Sequence, residues 1–147
     1  MSERIEHFCR AKRLDTKELI EGYYCKKYVS DKSPTCRDAI MFQTKYDPSK
    51  WTPEYMTVEI DPSTIGWFTG LIDKNGKKIF TTDILNFKTT AYFFENCRVV
   101  YEIKYARFCV VSTTGNVYPM DESFEYEVIG DVFDGSDSLT GDDDLCR

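Results

Sequence analysis

Leu71-Ile-Asp-Lys-Asn-Gly-Lys-Lys-Ile-Phe80 is the stretch that decides the fold class. Its centre, Asp73 to Lys78, is polar and holds an Asn-Gly pair, which enters positive φ at little cost. Its flanks, Leu71-Ile72 and Ile79-Phe80, are apolar, so the stretch predicts a β-hairpin with those flanks as paired strands. On the C-terminal side, Ile84-Leu-Asn-Phe87 is another β-rich run. Val99, Tyr101, Ile103 and Tyr105 then alternate with Arg98, Val100, Glu102 and Lys104, the period of a strand with one buried face. Phe108 to Val111 reads as its partner, Thr113 to Asn116 as a turn into Val117-Tyr118, and Phe124, Tyr126 and Val128 alternate again. On the N-terminal side, Gly22 and the tyrosines turn Glu18 to Tyr28 toward strand, and Ala39 to Phe42 and Tyr55 to Ile60 are two more. Residues 30–38 and 45–54 carry Pro34, Pro48 and Pro53 and read as loops, and 62–69 has room for one helical turn after Asp61. Many short strands near ten residues apart, without repeat or heptad, predict a mainly β chain, a small barrel or sandwich.

A chain of 147 residues with 41% hydrophobic and 15% aromatic content can bury a core, which excludes a wholly disordered protein. Eight glycines and five prolines exclude a collagen-like chain, and no apolar run approaches the ~20 residues of a membrane helix. Met1 to His7 is charged and leads into no apolar signal segment, so the expected location is the cytoplasm, without membrane association. Residues 131–147 hold six Asp and one Arg, a net of −5, which leaves −1 of the total −6 for residues 1–130. The body is therefore nearly neutral, and residues 135–147 read as a disordered acidic tail.

Candidate chemistry is sparse. His7 is the single histidine, which denies a general base to any of the six cysteines (9, 25, 36, 97, 109 and 146) and leaves no zinc-finger spacing. The cysteines read as reduced core residues. Gly66 to Gly70 does not continue as a phosphate loop. Asp61, Asp73 and Asp83 could converge on a cation, but Asp61 before Pro62 and Asp73 beside Asn-Gly have simpler explanations as turn residues. No cofactor, metal or catalytic residue is expected. The best basic cluster is Arg10, Lys12 and Arg13, with Lys74, Lys77 and Lys78 as a smaller one. Beside Tyr23, Tyr24 or Trp67 these could follow a nucleic-acid backbone with aromatic stacking. The favoured reading is a solvated strand edge, where lysines discourage edge pairing, and the near-neutral body lowers the nucleic-acid reading further.

Three blocks together resemble the YopX-like family of phage and prophage proteins. They are Arg10-Ala-Lys-Arg-Leu-Asp15 with Glu21-Gly-Tyr-Tyr24, the long stretch Val58 to Ile84, and Tyr126-Glu-Val-Ile-Gly-Asp-Val-Phe-Asp134. The second, with Ile65-Gly-Trp-Phe-Thr-Gly70 and Asp73-Lys-Asn-Gly76, is the most specific. The chain departs from the family at Thr81-Thr82, where Glu-Gly is usual, so either residue 82 needs no positive φ or the turn has changed. The Asp-rich tail and the loop at 45–54 depart as well. The resemblance implies an SH3-like β-barrel, with oligomers as no surprise, and it brings no catalytic residues. It implies a structural use for the matched positions: turns at Gly66 and Gly70, a hairpin at Asp73–Gly76 and a strand start at Asp83-Ile84.

The expectation is a single β domain over 1–134, with room for a small N-terminal subdomain over 1–55. Its expected role is non-enzymatic: a phage- or prophage-encoded binding protein that modulates a host protein or assists phage replication in the bacterial cytoplasm. The alternatives are a nucleic-acid-binding barrel and a self-assembling structural protein, a homo-oligomer. The candidate interaction surface is Arg10, Lys12, Arg13, Tyr23, Tyr24, Trp67, Lys74, Lys77 and Lys78.

Overall fold

The computed structural model describes residues 7–30, 33–44 and 47–133. The expected tail, Cys146 among it, lies outside them. The chain divides into two units, Met1–Trp67 and Phe68–Arg147.

In the first unit, β1 (Phe8–Lys12), β2 (Leu19–Ser30), β3 (Ser33–Gln43) and β4 (Tyr55–Glu59) form an antiparallel sheet in the order β4-β3-β2-β1. β5 (Gly66–Ile72) starts against β1, with Cys9 opposite Trp67 and Arg10 opposite Gly66. One 3-10 turn, Pro62–Thr64, links β4 to β5; the Asp61 carboxylate caps it by accepting from the Ser63 N–H at 3.0 Å. The sheet curls until the end of β1 meets the end of β4. Arg13 bridges Ile60, the Leu14 N–H donates to the Glu59 C=O at 3.1 Å, and the Asp61 N–H donates to the Lys12 C=O at 2.9 Å. Cys9, Ala11, Ile40 and Ile60 are buried on the inner face, packed by Ile20, Tyr24, Phe42, Ile65 and Trp67. This is the period of two at work: Cys9 and Ala11 point in, Arg10 and Lys12 point out.

In the second unit, β5 turns into β6 (Lys78–Phe80) as the predicted hairpin, with Phe68 opposite Phe80 and Ile72 opposite Lys78. The register slips between those pairs, where Gly70 takes φ 87°. β7 (Asp83–Lys88), β8 (Phe93–Glu102), β9 (Arg107–Val111), β10 (Val117–Pro119) and β11 (Glu125–Asp131) form a sheet in the order β10-β9-β8-β7-β11. Its core is Ile79, Leu85, Phe87, Cys97, Val99, Val110 and Tyr126. Phe87 stacks on Phe94 at 5.1 Å and on Tyr126 at 5.7 Å between ring centroids.

The mainly β expectation holds, and four of its details are corrected. Neither sheet closes on itself along its strands, so the barrel is replaced by open antiparallel sheets, one of them curled. Residues 33–38 are strand rather than loop, because β2 and β3 make one long hairpin that pairs Lys26 with Asp38 and Tyr28 with Cys36. Pro34 falls at the start of β3, where a missing N–H costs a sheet least. The strand read through Tyr105 stops at Glu102; Ile103–Tyr105 is a 3-10 turn closed by Ala106 at φ 50°, and Ile103 is 85% exposed. Gly66 is a strand residue paired with Arg10, not a turn. Thr82 needs no positive φ, the first of the two alternatives, and Asp83 starts β7 as expected. No helix among the described residues is long and apolar enough to cross a membrane.

Candidate functional site

Alternation along β2 sends Tyr23 and Tyr24 to opposite faces of the first unit's sheet, which splits the expected aromatic cluster in two. On the inner face, the Tyr24 ring meets the Trp67 edge at 5.5 Å between centroids, and His7 lies 6.5 Å from the same indole. The Tyr24 hydroxyl donates to the Asp38 carboxylate, and the Lys26 ammonium reaches the same oxygen at 2.8 Å. These donors, Lys26 first, hold Asp38 below the usual carboxylate range, and the carboxylate in turn raises the Tyr24 phenol. Lys26 also lies 5.8 Å from the Tyr24 ring centroid. The network is closed on itself, so Tyr24 reads as a packed and anchored ring.

On the outer face, register puts Phe8, Tyr23, Met41 and Thr57 in one row across β1, β2, β3 and β4. Phe8 meets Tyr23 edge-on at 5.3 Å, and Tyr23 and Met41 are 45% and 37% exposed. Arg10 and Glu21 form the next pair along β1 and β2, and Lys27 and Arg37 face each other further along the β2–β3 hairpin. Tyr55, 58% exposed, follows on the same face of β4. The row therefore carries Phe, Tyr and Met with Arg beside them, the residue types enriched where protein interfaces are centred.

Two of the six basic candidates have carboxylate partners. Arg13 makes a bidentate contact with Asp15, both bonds 2.9 Å, and Lys74 pairs with Glu127 at 3.1 Å. The Lys12 backbone N–H donates to the Thr64 hydroxyl at 2.9 Å. Lys77 and Lys78 are exposed in the second unit's hairpin. Structure thus gathers Arg10 and Tyr23 on one surface, turns Tyr24 and Trp67 away from it, and puts Lys74, Lys77 and Lys78 in the other unit. Phe8 and Met41 were missed by sequence reading. Their place beside Tyr23 follows from strand register across residues far apart in the chain, which no local pattern encodes.

The carboxylates weighed as ligands have structural work. Asp73 accepts from the backbone N–H groups of Asn75 (2.9 Å), Lys77 (2.8 Å) and Val128 (3.0 Å). Burial pushes its acid up, but those donors outweigh it and hold Asp73 below the usual range. Asp83 accepts from the Phe80 N–H at 2.8 Å. Burial, with a smaller push from Cys25, raises the Cys9 thiol to about 12, and burial raises Cys97 to about 11. Such thiols carry little thiolate at neutral pH. Among the described residues, no group of three or more His, Cys, Asp and Glu could hold a metal ion.

The family model described as YopX protein matches residues 10–140. No curated protein and no solved structure matches the chain.

Proposed function

The chain belongs to the YopX protein family, and from that premise we propose that it is a non-enzymatic binding protein that holds a protein partner on the outer face of its first sheet. The observation that carries this reading is the row Phe8–Tyr23–Met41, which lies across three strands and leaves an aromatic ring and a thioether in solvent. Large apolar side chains in such a row gain about 25 cal/mol per Å² when a partner covers them. Arg10 and Glu21 beside the row would fix orientation. The raised thiols and the backbone-bound Asp61 and Asp73 support the non-enzymatic part. We further read the protein as phage- or prophage-encoded, with a host protein or the phage's own replication machinery as target. The strand order β4-β3-β2-β1-β5 with a 3-10 turn between β4 and β5 supports an SH3-like reading of the first unit.

The test is capture from bacterial lysate with nuclease present, comparing the native chain with a Tyr23→Asp, Met41→Asp double variant of unchanged melting temperature. The expected result is one protein held by the native chain and lost by the variant. Capture that the variant retains would sink the assignment of this face, and capture that depends on intact nucleic acid would replace the protein partner with nucleic acid.

A further inference from the structure

Among the described residues, the outer edge of β4 is a short unpaired ladder with defined ends. The Thr44 N–H donates to the Glu54 C=O at 2.9 Å and the Ile60 N–H to the Asp38 C=O at 3.1 Å, so even-numbered residues of this strand turn their backbone groups toward β3. Odd-numbered residues turn theirs outward. At one end of that outward edge, the Glu59 C=O is taken by the Leu14 N–H and the Asp61 N–H by the Lys12 C=O. At the other end stands Pro53, which has no N–H. Between them, Tyr55 and Thr57 present N–H and C=O groups that meet no partner among the described residues.

We propose that a second copy of this chain pairs with β4, antiparallel, about a two-fold axis at Met56. The register is dictated by the edge. With Met56 opposite Met56 of the partner subunit, Tyr55 faces Thr57 of the partner subunit and the reverse. Every outward N–H and C=O of Tyr55 and Thr57 is then satisfied, and no bond is asked of Pro53 or of the occupied Glu59 carbonyl. A foreign strand would have to match this two-residue ladder by chance; the chain's own β4 matches it by symmetry, as an isologous contact requires. Charge does not oppose the pairing, because Glu54 is countered by Lys50 and Glu59 by Arg37 at 3.5 Å. Apolar surface favours it: Tyr55 and Met56 are 58% and 46% exposed, and Trp51, in the loop leading to β4, is fully exposed. The second sheet's edges are managed otherwise. On β11 the Tyr126 C=O takes the Lys74 N–H at 2.9 Å and the Val128 N–H goes to Asp73, and β10 carries Pro119. This pairing does not rest on the partner-binding reading, which uses the face of the sheet rather than its edge.

The experiment measures the mass of the full chain in solution by light scattering across a concentration series, for the native chain, Thr57→Pro and Met56→Cys. Thr57→Pro deletes an outward N–H and leaves the bonds to β3 intact. Met56→Cys puts two thiols across the axis, where facing strands approach to about 4.5 Å between Cα atoms, within disulfide reach. The expected result is a native mass twice that of one chain, a folded Thr57→Pro monomer, and a 56–56 disulfide located by peptide mass spectrometry in oxidised Met56→Cys. A native chain that stays monomeric at every concentration overturns the proposal and leaves the edge to a strand of another protein. A dimer that forms no 56–56 disulfide overturns it as well, whatever Thr57→Pro does.

Discussion

Asp73 stitches the β5–β6 hairpin to β11 through three backbone N–H groups, one of them 55 positions away in sequence. Removing its carboxylate strands those donors in a buried setting, so Asp73→Ala is expected to lower stability by roughly 2–4 kcal/mol, read by urea unfolding. Its folded acid constant lies below the ordinary value, so its contribution is present above about pH 4 and is lost as pH falls through the folded value. The melting temperature of the native chain should fall below about pH 4, and Asp73→Asn should flatten that part of the fall. An unchanged acid profile in Asp73→Asn would show that other carboxylates govern it. Gly22 is constrained by space. A Cβ there would sit 2.5 Å from the Met41 carbonyl oxygen and 2.6 Å from the Ile40 Cγ2. Gly22→Ala is expected to cost about 1–3 kcal/mol, since backbone rather than a flexible side chain must move. A fully stable Gly22→Ala would mean that β2 and β3 part easily.

At the scale of elements, alternation is informative only while the strand lasts. Val99 and Ile103 occupy equivalent positions in the period-two run, yet Val99 is wholly buried and Ile103 is 85% exposed. The difference is the chain reversal at Ile103–Tyr105, which ends β8 and lets Arg107 return over the Tyr105 ring at 4.6 Å. Val99→Ala is expected to cost about 1–3 kcal/mol through lost burial and a cavity, and Ile103→Ser to stay within about 0.5 kcal/mol. Comparable losses from the two would show that the turn is misplaced. The β5–β6 hairpin was legible because its turn chemistry is local: Asn75-Gly76 supplies the reversal, and Gly76 takes φ 82°. The β2–β3 hairpin was half hidden, because its proline and polar residues look like a loop until they pair.

Across the whole molecule, charge argues against a nucleic-acid partner. The chain carries −6, and Arg13 and Lys74 already have carboxylate partners. Fluorescence anisotropy with single- and double-stranded DNA at about 0.15 M salt is expected to show no binding; affinity that falls steeply as salt rises would restore that reading. The chain divides into two units, each with its own apolar cluster, at a boundary inside β5. The sequence by itself determined the β class, most strands of the second unit, the Asn-Gly turn and the family, because period-two patterning, turn chemistry and contiguous motifs act over a few residues. Tertiary structure alone decided which aromatics share a face, that the sheets stay open, and that one edge keeps a ladder unpaired among the described residues. Those follow from register between strands tens of residues apart, where a slip of one residue would turn Tyr23 inward and Tyr24 out.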